Sequence, residues 1–289
     1  MTQKNELPDI QHSAKPKHQL YINKVGVENV KVPIILETKY QGAHELIATV
    51  EMTADLRPDM KGISMSMLLR TLIKYLRNPL KHEVIMKILE EFTEAVESDS
   101  KHSMIKMDFD LPLIKQAPIS KLEFPQYYKC SFAGKLDDGV FRFFQKVRVQ
   151  YQSYCPCSAS LCEDLWTKKQ FGFPHAQRSF CDLLVEVKPE NIIWLEELIQ
   201  LVETAVANEV YPILRRMDEQ EVARIAAQNP MFVEDAIREI VSILNGKFGK
   251  EMIFDWIVKC SHEESLHANE AIAKCWKGVP NGFDGRYFL

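Results

Sequence analysis

From His44 to Leu56 apolar and polar residues largely alternate, the period of a half-buried strand, and the β-branched run Val30 to Thr38 predicts a partner strand joined to it by a hairpin across Lys39 to Ala43. The period then lengthens. Leu68, Leu69, Leu72, Ile73 and Leu76 within Ser64 to Leu76 fall at helical spacing, as do Val84, Ile85, Ile88, Leu89 and Phe92 within Lys81 to Ser98. Asn78-Pro79 breaks the helix between them, so two adjacent antiparallel helices are predicted. Strand patterns return at Ser103 to Asp110, Tyr127 to Ala133 and Val140 to Gln152. Further on come a strand at Ser179 to Val187, a long helix from Asn191 to about Arg215, two helices divided by Asn229-Pro230, and a strand at Met252 to Ser261.

The order is thus two strands, two helices and two strands, followed by a comparable set. That is an α+β arrangement, two fused half-domains of antiparallel sheet with paired helices on one face, duplicated in structure without an obvious duplication of sequence. The expected organisation is a polar N-terminal segment over 1–20, a first half over 21–120 and a second half over 121–289. The junction Pro112-Leu113-Ile114-Lys115-Gln116-Ala117-Pro118 is too short and apolar for a free linker, so the halves are expected to pack together.

With 289 residues, 46% of them hydrophobic, the chain has enough apolar material for real cores. A net charge of −4 gives no basic surplus, which argues against nucleic acid and requires a local cluster for any anionic ligand. Seven cysteines without a framework spacing fit a reducing compartment, so a cytoplasmic protein is expected. Met1 to Lys17 is polar and no apolar run approaches a membrane span, so neither a signal peptide nor a membrane partner is expected.

Candidate chemistry begins where a strand pattern ends. Cys155-Pro156-Cys157 at a strand exit offers a thiolate, and His175 on the returning loop can complete half of a tetrahedral zinc site. Two reduced, half-buried thiols and a loop histidine account for the same pattern. Proline between the cysteines reads as a stiff, extended step that keeps both sulfurs off one metal, which leaves Cys157 to the substrate side or to redox chemistry. Cys130, Cys162, Cys181, Cys260 and Cys275 are isolated and read as small buried apolar residues. Glu209 falls late in the long predicted helix, behind the stripe Leu195, Leu198, Ile199, Val202 and Val206, where a solvated carboxylate is the ordinary reading. Glu264 and His267 stand three apart after the last predicted strand, with His262 and Glu263 alongside. A histidine near a carboxylate suits general acid and base work, and a wet loop has the same composition.

Together these motifs resemble the type IB GTP cyclohydrolases, enzymes of the tunnelling fold, over nearly the whole chain. The matching stretches are Pro8-Asp9-Ile10-Gln11, Asn23-Lys24-Val25-Gly26-Val27, Asp59-Met60-Lys61-Gly62, Cys155-Pro156-Cys157-Ser158 and His175-Ala176-Gln177-Arg178-Ser179. Later come Glu209-Val210-Tyr211-Pro212, Arg215-Arg216, Asp218-Glu219, Asn229-Pro230-Met231-Phe232-Val233-Glu234-Asp235 and Glu264-Ser265-Leu266-His267. The resemblance implies a divalent metal held by Cys155, His175 and Glu209, with a fourth position for water, in the second half-domain. Zinc is expected first because of the lone thiolate, and manganese second. It further implies attack on C8 of guanine, loss of formate, and closure to dihydroneopterin triphosphate. Glu264 and His267 would move protons, with Cys157 nearby, and Arg178, Arg215 and Arg216 would bind the purine nucleotide. A homotetramer with sites between subunits is the implied assembly.

The departures cluster where substrate should be held. After Lys61-Gly62 the family has Thr-His-Met-Ser-Arg, and this chain has Ile63-Ser64-Met65-Ser66-Met67. Ala159 replaces a lysine, and the loop from Cys155 to His175 is longer and carries Leu161, Leu165, Trp166 and Phe171. Arg224 stands where the family has a glutamate for the guanine edge, and an arginine offers only donors. Glu221 or Glu219 would have to substitute. Two alternatives therefore stand beside the family activity: a diverged paralogue acting on another purine-like or pterin-like heterocycle, and a catalytically retired binding or assembly subunit. The retained ligands, Glu264 and His267 argue against the last.

Overall fold

The structure is a computed structural model that describes residues 14–95, 100–280 and 282–283. The Pro8 to Gln11 motif and the end of the second predicted helix, residues 96–98, lie outside the described residues. Eight strands form one sheet in chain order: β1 (Ile22–Thr38), β2 (Gly42–Leu56), β3 (His102–Gln116), β4 (Glu123–Asp137), β5 (Val140–Tyr154), β6 (Ala176–Val187), β7 (Ile253–Glu263) and β8 (Glu270–Trp276). Pairing is antiparallel between β2 and β3, β6 and β7, and β7 and β8. The helices are α1 (Met65–Tyr75), α2 (His82–Ala95), α3 (Pro156–Thr167), α4 (Leu195–Val206), α5 (Arg216–Gln228) and α6 (Val233–Met252). The α+β class with helices on one face of an antiparallel sheet is as the pattern predicts.

Several strands outrun their predicted ends. Leu111 and Leu113 continue the buried alternation of β3 past Asp110, so the stretch expected to join two halves is strand as far as Gln116, closed by a turn in which Ala117 N donates to Leu122 O at 2.9 Å. The β4–β5 turn places Asp138 and Gly139 at positive φ, 46° and 82°, the backbone of a tight hairpin whose twist matches its strands.

The chain divides into two compact units. The first comprises the described residues up to Glu37, Ala43–Phe109 and Phe132–Phe143. Its helices start where the pattern placed them, and α1 ends within a residue of the predicted Leu76, with Ser64 at its N-cap. Leu68 and Leu72 of α1 and Ile85, Ile88, Leu89 and Phe92 of α2 are buried, as are Val50, Met52, Ile105 and Met107 on the sheet. Met52 stands opposite Ile105 and Val50 opposite Met107, so period two on the strands meets period 3.6 on the helices. Gly26 of β1 presses on β2: a Cβ there would lie 1.9 Å from the Met52 carbonyl oxygen. Gly26→Ala is therefore expected to destabilise this unit by about 1–3 kcal/mol or more, because backbone must move. An unchanged urea midpoint would contradict that close approach.

The second unit comprises Thr38–Gly42, Asp110–Ser131 and the described residues from Phe144 onward. Here α6 packs on α4, β7 and β8, and it breaks at Gly249, where φ is 57° and ψ −166°. The long helix expected to reach Arg215 ends at Val206. Ala207 adopts the left-handed conformation, φ 54°, with its N–H on the Glu203 carbonyl, and Pro212 lies a few residues on. Among the described residues no helix is long and apolar enough to cross a membrane.

Candidate metal centre and its surroundings

Cys155 leaves β5 and caps α3. Its backbone is extended, φ −71° and ψ 119°, and its Sγ accepts from Ser158 N at 3.5 Å. Pro156 occupies the first helical position, where its missing N–H costs nothing and its fixed φ suits the helix. Cys-Pro-Cys is thus a helix start, not the extended step expected, and most of the presumed loop between Cys155 and His175 is α3. Cys157 lies exposed on the first turn.

His175 stands just before β6. Cys155 N donates to the His175 carbonyl at 3.3 Å and His175 N donates to Ser158 Oγ at 3.3 Å, so the two residues are held side by side. The His175 Nδ1 lies 3.1 Å from Ser265 Oγ. With the proton on Nδ1 toward that hydroxyl, Nε2 keeps its lone pair for a metal. Ser265 belongs to the turn between β7 and β8, closed by Glu264 N on Asn269 O at 3.3 Å. Gln177 Nε2 of β6 donates to Glu264 Oε1 at 3.4 Å and ties the same turn again. Glu264 and His267 therefore sit between two strands, β7 and β8, not after the last one. His267 is exposed in that turn.

Beneath lie buried cross-strand bonds. Tyr151 OH and His262 Nε2 are 2.9 Å apart, and Ser153 and Ser179 hydroxyls 2.8 Å. Burial raises the Tyr151 pKa and lowers that of His262 to about 4, so Tyr151 donates to a neutral imidazole. His262, expected beside Glu264 in a wet loop, is a core residue.

Glu209 follows α4 in an irregular segment, not on the helix expected for it. It forms a β-bridge with Tyr151, while Gln152 N donates to the Asn208 carbonyl at 2.9 Å. Its Oε2 lies 3.1 Å from Lys115 Nζ, which also reaches Glu203 Oε2 at 2.6 Å. Tyr128 OH donates to Glu203 Oε1 at 2.5 Å. Burial works against the charge on Lys115, but Glu203 and Glu209 outweigh it and raise its pKa. Burial, then the charge of Glu209, raises the pKa of Glu203 against the pull of Lys115 and Tyr128.

Arg178 on β6 and Arg215 and Arg216 at the start of α5 are exposed, and their guanidinium groups have no partner among the described residues. Arg224 grips Glu221 through two bonds, 2.8 and 2.7 Å, and reaches Gln228 at 3.0 Å; Glu219 is exposed. Asp218 is fully buried, and accepts from Ile119 N, Ser120 N, Ser120 Oγ and Arg215 N. Burial opposes its charge, yet these donors hold its pKa well below the usual range. It thereby fixes the turn after β3 to the N-terminus of α5.

The family model for type I GTP cyclohydrolase folE2 matches residues 7–273. The chain belongs to that family. The GTP cyclohydrolase FolE2 of Cereibacter sphaeroides is 34% identical over 279 residues, covering 95% of this chain and 76% of that protein. That of Dictyoglomus thermophilum is 32% identical over 271 residues, 93% of this chain and 98% of that one. Among solved structures the uricase of Arthrobacter globiformis, 9% identical, superposes with a TM-score of 0.56 over 91% of this chain and 95% of its own, a likeness of fold.

Membership in the type I GTP cyclohydrolase family is consistent with a divalent metal. The donor set Cys155, His175 and Glu209 suits one in kind, a thiolate, an imidazole and a carboxylate. The first two are brought together; the third is held by Lys115. Among the described residues no three His, Cys, Asp or Glu side chains converge closely enough to hold an ion. Lys115, Glu203, Tyr128, Gln177 and Ser265 escaped the sequence reading. Gln177 and Ser265 did lie inside the matching motifs, and Glu203 left a signal as a carboxylate beside Val202 within the apolar stripe of α4.

Proposed function

We propose that this chain is a GTP cyclohydrolase I of type IB, opening the imidazole ring of GTP with release of formate to give 7,8-dihydroneopterin triphosphate. The reading is carried by the match to GTP cyclohydrolase FolE2 along 95% of the chain. That match favours neither a paralogue with another substrate nor a retired subunit. Cys155, His175 and Glu209 would hold one divalent ion, zinc ahead of manganese because of the thiolate. Bound there, it would supply hydroxide at neutral pH.

The chain's own groups do the rest. Gln177 orients the Glu264 carboxylate, and His267 in the same turn carries protons to and from the opening ring. Arg178, Arg215 and Arg216, without partners among the described residues, give cationic charge for the triphosphate. Cys157 faces solvent near the pair and is placed on the substrate side. Glu221 serves the guanine N–H donors: Arg224 takes one bond at each carboxylate oxygen, and each oxygen has a second lone pair. Losing one charge-assisted bond costs about 1.5–3 kcal/mol, so Glu221→Gln is expected to raise KM for GTP by about ten- to a hundredfold. An unchanged KM removes Glu221 from the guanine edge. A homotetramer in the cytoplasm is the proposed assembly, supported by the open edges of the sheet at β1 and β8 and by exposed Ile272 and Trp276 on β8. The test of the activity is the formation of fluorescent oxidised neopterin from GTP by zinc-loaded protein. Folded, zinc-loaded protein that yields none would overturn the reading.

A further inference from the structure

Of the three proposed ligands, Glu209 already has a cation. Lys115 Nζ stands between two carboxylates, 2.6 Å from Glu203 and 3.1 Å from Glu209. They are not held alike. Glu203 is almost buried and both its oxygens are taken, one by Lys115 and one by the Tyr128 hydroxyl. The Glu209 side chain is 30% exposed, its contact with Lys115 is the longer, and it has no second side-chain partner among the described residues. Two carboxylates on one ammonium leave a negative charge in excess. Were Glu209 to swing away, Lys115 and Glu203 would remain as a one-to-one pair, so no buried charge would be stranded.

We propose that Lys115 is the stand-in cation for Glu209, holding its carboxylate off the Cys155–His175 pair until a divalent ion takes it in exchange. This rests on the assignment of Cys155, His175 and Glu209 as ligands. Its consequence is that metal affinity includes the cost of breaking the Lys115–Glu209 contact, so the lysine weakens metal binding although it lies against a ligand. A lysine that merely aimed Glu209 at the metal would do the opposite.

Zinc alone, titrated into metal-free full-length protein against a chromophoric chelator, separates the two. Lys115→Met keeps the aliphatic stem and removes the competitor, and its dissociation constant for zinc is expected to fall about three- to tenfold, the size of a partly exposed ion pair. An equal or larger dissociation constant in folded Lys115→Met protein overturns the proposal. If circular dichroism shows that variant unfolded, Lys115→Arg decides: its forked guanidinium grips both carboxylates harder and is expected to weaken zinc binding, and unchanged or tighter binding overturns the exchange. Glu209→Gln tells the two failures apart. If it leaves zinc affinity intact, the ligand assignment falls; if it weakens zinc while Lys115→Met does not tighten it, the assignment stands and only the exchange falls.

Discussion

Cys155→Ser should empty the metal centre while leaving α3 folded. The thiol has two separable roles, a proposed zinc ligand and the N-cap of α3, where its Sγ accepts from Ser158 N. Serine is among the best N-cap residues, and its oxygen takes over that bond. It cannot take over the other role, because a serine hydroxyl stays protonated at neutral pH and is a poor ligand where a divalent ion such as zinc takes a thiolate. With Cys155 gone, His175 and Glu209 remain as two ligands, one already engaged by Lys115. Metal measured by elemental analysis should fall from about one ion per chain toward none, with far-UV circular dichroism unchanged. Metal activation of water is worth several kcal/mol, and each 1.36 kcal/mol is tenfold, so neopterin formation should drop by about a thousandfold or more. Undiminished metal in the serine variant would remove Cys155 from the centre.

The elements of this protein were legible where one period held over many residues. The alternation of β2 and the stripes of α1 and α2 each bury one face, and they fold as the pattern says. Legibility failed where one residue type serves opposite ends of an element. Pro156 reads as a stiff, extended step, yet at the first helical position proline starts a helix, so α3 is not legible as one. Ala207 gives no hint that it will adopt positive φ and end α4, so Glu209 was placed on a helix it never joins. β8 is short and carries a single β-branched residue, Ile272, among small alanines, so its strand signal is weak.

For the candidate site, the sequence yielded the residue types of the proposed centre but not their neighbours. Cys155, His175 and Glu264 are legible because motifs mark them. Lys115 meets Glu203 across 88 residues of chain, and His175 meets Ser265 across 90. Spacing along the sequence carries no information about such contacts. Antiparallel register makes the second, by bringing Ser179 opposite His262 and so the start of β6 beside the turn that follows β7, and the first joins a strand, β3, to a helix, α4. The same register buried His262, which in sequence looks as much a proton carrier as His267.

His267→Ala should abolish most GTP turnover without disturbing the metal. His267 is exposed in the β7–β8 turn, so truncating it removes no packing, and the turn is held by its neighbours, Ser265 on His175 and Glu264 on Gln177. Stability and zinc content are therefore expected to match the unaltered protein. A positioned general acid or base contributes about a hundred- to ten-thousandfold, and kcat should fall by that range with KM for GTP little changed, because proton transfer matters in the transition state and not in the bound ground state. Turnover that survives the substitution would remove His267 from proton transfer. Robust turnover of GTP by the unaltered protein, lost in His267→Ala, would show that Ser64, Met67, Ala159 and Arg224 mark a rebuilt pocket for the same substrate: losses at the grip on guanine and phosphate weaken binding, whereas the proton relay and the metal ligands govern whether the ring opens at all.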